Sequence, residues 1–197
     1  MSVSESKKTK QPCKIIRQEC IGTDIYSMWL DAGEIGKNAV PGQFVSLYSR
    51  NGSKLLPRPI SLCEINKEEG KLRLVYRVTG KGTGTEEFSR LHAGVPVETL
   101  GPLGNGFPLD AVKGKKVFLM GGGIGIPPML ELAKQLDCEK QIVLGYRDDL
   151  FLYEEFKKYG SVYVATEDGS AGTEGNVLDA IRENGLDAEV IYACGPL

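Results

Sequence analysis

Histidine is almost missing from this chain: His92 stands alone among 197 residues. The five cysteines, Cys13, Cys20, Cys63, Cys138 and Cys194, are scattered without a CxxC pair. One histidine and isolated cysteines argue against a zinc site, and the scatter excludes a regular disulfide framework. No apolar run reaches membrane-spanning length, and the N-terminal segment MSVSESKKTKQ lacks an apolar leader core. Charge of one sign is also lacking. Lysine plus arginine number 24 against 26 acidic residues, a formal net charge of −2, with no basic stripe interleaved with aromatics. Nucleic acid is therefore not the expected partner. A soluble protein of a reducing cytoplasm is expected, with no membrane partner.

What the chain has in excess is glycine, 25 residues, many in short clusters. Such clusters mark sharp turns and places where backbone approaches a ligand closely. Hydrophobic content of 41% with 25% charged residues suits a folded core.

Two rhythms divide the chain. Residues 1–11 are polar and lysine-rich and read as a flexible tail. From Cys13 to about Leu100, short β-type runs alternate with breakers: Ile25–Leu30, Gln43–Tyr48, Pro59–Ile65, Lys71–Thr79 and Val95–Leu100. In Lys71–Thr79, Leu72, Leu74, Tyr76 and Val78 alternate with Arg73, Val75 and Arg77, the period of a strand. Short strands at this spacing suggest a closed antiparallel barrel, interrupted by one short helix at Thr85–Leu91. Beyond Lys113 the pattern becomes strand–helix–strand: strands at Val117–Met120, Gln141–Leu144, Ser161–Thr166 and Glu189–Ala193, helices at Pro127–Leu136, Leu150–Tyr159 and Gly175–Asn184. That alternation predicts a parallel sheet. The expected division is a tail (1–11), a β-barrel (12–112) and an α/β domain (113–197). The chain stops at Cys194-Gly195-Pro196-Leu197, just past a strand, so the α/β domain is expected to lack its last helix and strand.

Three motifs carry candidate chemistry. Gly121-Gly122-Gly123-Ile124-Gly125-Ile126-Pro127-Pro128 joins an apolar strand to a helix, where bare backbone and a helix N-terminus can meet a pyrophosphate. It is a GxGxxP pattern rather than the GxGxxG fingerprint, and a tight strand-to-helix turn is the competing reading. Arg58-Pro59-Ile60-Ser61 opens a strand. Arginine suits a phosphate and Ser61 can bond a heteroaromatic edge, although alternation puts Arg58 and Ser61 on opposite faces. A surface arginine and a strand serine are the alternative. Tyr76-Arg77-Val78-Thr79-Gly80-Lys81-Gly82-Thr83 runs into a glycine loop and helix start, either a diphosphate seat or an ordinary capped turn. Thr166-Glu167-Asp168-Gly169-Ser170 and Cys194-Gly195-Pro196 stand at strand C-terminal ends, where open sheets place ligands. After the second α/β strand, Arg147 precedes Asp148 and Asp149, so charge alone does not choose between NADH and NADPH. His92 reads as a surface residue.

With these residues in order, the chain resembles the ferredoxin–NADP reductase superfamily and, within it, the electron-transfer subunits of the NAD-dependent class of dihydroorotate dehydrogenase. Arg58–Ser61, Tyr76-Arg77 with Gly82-Thr83, Gly101-Pro102-Leu103-Gly104-Asn105-Gly106-Phe107 and Cys194-Gly195-Pro196 carry the superfamily likeness. Gly121–Pro128, Leu144-Gly145-Tyr146-Arg147 and Thr166–Ser170 carry the narrower one. The resemblance implies a six-stranded antiparallel Greek-key barrel followed by a doubly wound nucleotide-binding domain. It implies FAD on Arg58, Pro59, Ile60, Ser61, Val75, Tyr76, Arg77, Gly82 and Thr83, and NAD(H) on Gly122, Gly123, Gly125, Thr166, Asp168, Cys194 and Gly195. Ser61 and Cys194 would lie near the redox rings, with no side-chain acid or base required. It implies electron flow through a [2Fe-2S] cluster to the FMN of a catalytic partner subunit in a heterotetramer of pyrimidine biosynthesis. The cluster's cysteines are expected beyond Leu197, since those present do not reproduce its spacing. A reductase acting alone or in another complex, and a non-catalytic nucleotide-binding module, are the alternatives.

Overall fold

The computed structural model describes residues 8–50 and 56–195. Residues 1–7 of the expected tail, the Asn51-Gly52 breaker, Pro196 and Leu197 lie outside the described residues. The chain divides into two compact units, residues 1–107 and 108–197.

The first unit is a closed barrel of six strands: β1 (Thr9–Gly22), β2 (Ile25–Asp31), β3 (Phe44–Tyr48), β4 (Arg58–Asn66), β5 (Lys71–Arg77) and β6 (Pro96–Leu103). Their order is β1-β2-β5-β4-β3-β6, every pair is antiparallel, and β6 returns to β1. Closure leaves no free sheet edge. It relies on register shifts at Ile15/Arg17, Cys20/Gly22, Phe44/Ser46 and Leu62/Glu64, because bulges supply the local coiling a small barrel needs. The period of two in Lys71–Arg77 holds: Leu72, Leu74 and Tyr76 join the core with Ile15, Met28, Leu30, Val45, Leu47 and Leu62. Arg73 points to the outer wall, where Ser27 Oγ accepts from Nε at 2.9 Å and Glu64 pairs with it at 2.8 Å.

Residues 9–11, expected at the end of the tail, are instead strand. Thr9, Lys10 and Gln11 pair with Gly101, Leu100 and Thr99. Strand pairing uses only backbone groups, so a polar segment can close a barrel. Gln11 adds a side-chain bond, its Nε2 donating to Ala32 O at 2.9 Å. A short helix absent from the sequence reading, α1 (Glu34–Asn38), follows β2. It fits because Gly36 meets the Gly70 carbonyl, which an added Cβ would approach to 2.4 Å.

Helix α2 (Gly84–Ser89) lies at one end of the barrel, with Phe88 in the core cluster. Gln18 of β1 holds it there. Its Nε2 donates to the carbonyls of Phe88 (2.9 Å), Ser89 (3.3 Å) and Leu91 (2.8 Å) at the end of the helix, where carbonyls run short of intrahelical partners; that of Phe88 also accepts from Leu91 N at 3.0 Å. Its Oε1 accepts from the buried Tyr76 hydroxyl at 2.9 Å. Tyr76 also stacks on Tyr26 and meets Phe88 edge-on.

The second unit is a five-stranded parallel sheet of order β10-β9-β8-β7-β11. Its strands are β7 (Lys116–Gly122), β8 (Glu139–Tyr146), β9 (Ser161–Thr166), β10 (Thr173–Glu174) and β11 (Val190–Cys194), and its helices are α3 (Pro127–Gln135), α4 (Tyr153–Phe156) and α5 (Val177–Glu183). The chain moves outward from β7 to β10, then returns through α5 to the far side of β7. The reversal of direction puts α3 and α5 on opposite faces, given right-handed crossovers. Val143, Ala165 and Ala180 form the core under α5. The doubly wound expectation holds. The helix expected over Leu150–Tyr159 shrinks to Tyr153–Phe156, because Leu152 takes a left-handed conformation (φ 64°) that breaks the helical frame. The Tyr146 hydroxyl donates to Phe151 O at 3.0 Å and holds that irregular stretch.

Replacing Gln18 by Ala strands the Tyr76 hydroxyl and the α2 carbonyls. Urea unfolding should show a loss of about 3 kcal/mol, against about 1 kcal/mol for Tyr76→Phe. Equal and negligible losses would mean that Phe88 in the core and the Glu87 contacts to Ser49 and Arg50 hold α2 without Gln18.

Candidate functional site

The expected FAD residues separate into three groups in the barrel unit. Ile60 and Tyr76 are core side chains, and the Tyr76 hydroxyl, kept protonated by burial, is already bonded to Gln18. Their side chains are therefore taken up by the barrel interior. Ser61 lies between buried Ile60 and Leu62, so alternation turns it to the outer wall, with exposed Pro59 two residues before it. The Leu62–Leu74 pair sets Val75 beside Ser61 on that wall, with Arg77 two residues further on.

The third group gathers at the start of α2. Gly80 and Gly82 have φ of 131° and 74°, and a Cβ on either would meet nothing within 4 Å. The glycines thus serve an open, left-handed backbone rather than tight packing. Thr83 caps the helix: its hydroxyl donates to Gly80 O at 2.7 Å and accepts from Glu86 N at 3.2 Å. Thr85 Oγ1 accepts from Thr79 N at 3.1 Å. Arg58 arrives from β4 with its Nε 3.0 Å from where a Cβ on Gly84 would stand. Among the described residues, none gives the Arg58 guanidinium a hydrogen bond or ion pair. A half-buried arginine without a partner, beside open glycine backbone and a helix N-terminus, is an arrangement suited to an anion. Arg58 and Ser61 therefore do face different ways, as alternation requires. Three residues of strand, about 10 Å, separate an anion seat from the wall that carries Ser61.

Gly84 and Glu86 were not among the residues expected here. The Thr83-x-x-Glu86 spacing of a capping box was the available signal for Glu86. For Gly84 there was none, because its role depends on an arginine 26 positions earlier.

In the second unit, the order of the strands places the switch point between β7 and β11, where an open α/β sheet receives its ligands. The C-terminal ends of the strands bring Gly121 and Gly122, Gly145 and Tyr146, Thr166 and Cys194 to one edge. Gly125 sits against β11: a Cβ there would lie 2.3 Å from Cys194 O and 2.6 Å from Gly195 N. Gly195 in turn approaches Gly122, whose N lies 3.3 Å from the corresponding point. Gly123 differs, with φ of 50° and open space around it. Two backbone walls therefore meet where side chains would prevent it, and Pro127 starts α3 without wasting a donor. Burial pushes the Cys194 thiol above its ordinary range. Thr166 is buried, and its hydroxyl already donates to Ala171 O at 2.9 Å and accepts from Ala171 N at 3.1 Å. Asp168 is exposed, and hydrogen bonds from the Ser170 side chain and N–H hold its carboxyl below the usual range. His92 is exposed, as expected.

The chain is similar to several known oxidoreductases. Residues 12–107 match the family model of the oxidoreductase FAD-binding domain. The electron transfer subunit of dihydroorotate dehydrogenase B (NAD(+)) from Geobacillus sp. (strain WCH70) is 42% identical over 189 residues, covering 92% of this chain and 73% of the relative. The Streptococcus mutans subunit of the same name is 42% identical over 193 residues, 94% of this chain and 73% of its own. Among solved structures, an NADH-dependent reduced ferredoxin-NADP oxidoreductase superposes with a TM-score of 0.81 at 29% identity, over 93% of this chain and 67% of that one. A ferredoxin reductase of carbazole 1,9a-dioxygenase, at 19% identity and a TM-score of 0.78 over 96% of this chain and 62% of its own, shares the fold. On this evidence the chain belongs to the family of electron transfer subunits of the NAD-dependent dihydroorotate dehydrogenase B.

Proposed function

We propose that this chain binds FAD on its barrel and NAD(H) on its parallel sheet, and passes electrons between them as the electron-transfer subunit of a dihydroorotate dehydrogenase. The partner in this reading is a catalytic subunit that carries FMN, and the pathway served is pyrimidine biosynthesis. The observation that carries the reading is the Arg58 guanidinium, without a hydrogen bond or ion pair among the described residues, beside Gly84 and the open Gly82 backbone, in a unit matched by the FAD-binding family model. The bound flavin supplies the exchange between hydride and single electrons, chemistry no side chain here can perform. The protein's part is to bind and orient. Arg58 and the N–H groups around Gly82 and Thr83 take the diphosphate, and the wall of Pro59, Ser61, Val75 and Arg77 takes the ring system, with the Ser61 hydroxyl at its polar edge. In the second unit, Gly123 leaves open backbone for a pyrophosphate to approach, and the close packing of Gly125 on Cys194 and of Gly195 on Gly122 sets the position of that turn. Thr166 and Asp168 flank the seat. Since the Thr166 hydroxyl is engaged with Ala171, it acts by shaping the 166–171 loop.

Neither cradle contains a histidine or a nucleophile–base pair, and hydride transfer needs none. Among the described residues no cluster of three or more His, Cys, Asp or Glu could hold a metal, and no helix is long and apolar enough to cross a membrane. None of this chain's cysteines is assigned to an iron–sulfur cluster.

The purified protein should be yellow, and anaerobic NADH should bleach it. Arg58→Ala should weaken FAD binding about ten- to a hundredfold, the loss of one charge-assisted contact; a fully retained flavin in that variant would refute the assignment of the seat. Restored oxidation of dihydroorotate on mixing with an FMN-bearing catalytic subunit separates this function from that of a reductase serving another acceptor.

The two kinds of glycine in the nucleotide cradle should respond differently to a methyl group. Gly125→Ala forces backbone apart and should cost about 1–3 kcal/mol in thermal stability, with NADH binding lost in proportion. Gly123→Ala meets only backbone strain and should cost about 1 kcal/mol. Equal behaviour of the two would contradict the close approach of Gly125 to β11.

A further inference from the structure

We infer that Glu86 is a built-in competitor for the diphosphate seat, occupying it in the flavin-free chain and yielding it by turning to Arg90. The inference rests on the reading that the α2 start takes the FAD diphosphate. Glu86 Oε2 accepts from the Gly82 N–H at 2.6 Å, the same backbone donor that a phosphate oxygen would take. A carboxylate on a backbone N–H is a charge-assisted bond, about twice as strong as a neutral one. Its other oxygen, Oε1, lies 2.6 Å from Arg90 Nη2 one helical turn further on. The carboxylate is thus held between two donors and is 21% exposed. Arg90 is the more exposed of the pair and lies outside the seat, so it can keep the carboxylate when Gly82 releases it.

Geometry alone does not make a competitor, since a glutamate three residues after a capping threonine also stabilises the first turn of a helix. Two observations separate the roles. In a reciprocal capping box the glutamate would take the N–H of the cap residue, Thr83. Here it reaches past the cap to Gly82, in the open glycine loop. The neighbouring donor, the Arg58 guanidinium, has no carboxylate partner among the described residues, although Glu86 stands only two positions from the Gly84 that Arg58 approaches. The seat therefore keeps its arginine ready and covers its backbone donor. When a diphosphate enters, a carboxylate left on Gly82 would face like charge at contact distance, which favours its release to Arg90.

The test is titration of FAD into the deflavinated chain, read by flavin fluorescence. Glu86→Gln keeps the shape and removes the charge; it should bind FAD about three- to tenfold more tightly than the parent chain. Arg90→Gln removes the refuge and should weaken binding by a similar factor. If Glu86 were only a cap, Glu86→Gln would loosen α2 and bind FAD equally or less tightly, and that result overturns the inference. Should the variant be poorly folded, the amide resonance of Gly82 in the parent chain decides the matter. Inorganic pyrophosphate should shift it together with the Glu86 carboxylate signal, and pyrophosphate that moves neither excludes displacement. A parent chain that takes up no FAD overturns the reading of the seat itself, an outcome distinct from FAD binding that Glu86→Gln fails to improve.

Discussion

Gln18 ties the C-terminal end of α2 to β1 across the end of the barrel, and the geometry of the proposed anion seat depends on it. Helix α2 has six residues, too short to be stable by its own hydrogen bonds. Its position comes from Phe88 in the core, from the Gln18 amide on the carbonyls at its C-terminal end, and from Glu87, whose carboxylate accepts from the Ser49 hydroxyl and Arg50 N. Those contacts fix where the N-terminal end points. Gly82, Thr83 and Gly84 then stand beside the first residue of β4, within reach of Arg58. The phenol of Tyr76 supports the same amide from inside the barrel. A core tyrosine thus shapes the cofactor seat without touching it.

The parallel sheet solves a similar problem without a buried polar anchor. Its seat arises where the chain reverses direction around β7, which leaves the ends of β7 and β11 adjacent with no crossover between them. The space is narrow because Gly125 packs on the Cys194 carbonyl. Any side chain at 125 would push β11 from its partner, so the glycine there is a packing requirement. Gly123, with nothing near it, is a conformational one. One motif therefore holds glycines for two physical reasons.

Much of this was legible in the residues themselves. The alternation in Lys71–Arg77 fixed which side chains enter the core, and the strand–glycine–helix run at 117–136 predicted the turn that now stands at the C-terminal end of β7. The first residues of β1 were not legible, because Thr9-Lys10-Gln11 has no apolar pattern and pairs through backbone alone. The shortening of α4 was hidden as well, since nothing in Leu150-Phe151-Leu152 announces a leucine with positive φ. For Tyr76, the strand period put it inside the barrel while the family likeness made it a ligand residue. Both follow if its backbone, and not its phenol, serves the ligand. The approach of Arg58 to Gly84 depends on tertiary structure and had no local signature.

The chemistry of the two seats suits two kinds of occupant. The barrel seat, as proposed here, combines a positively charged side chain with helix-start N–H groups. Such a combination binds a dinucleotide strongly enough to retain it. The residues assigned to the sheet seat include no cation, and Asp168 keeps its negative charge because Ser170 hydrogen-bonds the ionised form. That seat must hold its ligand by shape and backbone donors against a nearby like charge. A resident cofactor needs slow release, whereas a nucleotide consumed in each cycle must leave as fast as it arrives. In the proposed reading, Arg58 serves the ligand that stays, and glycine backbone without a cation serves the one that goes.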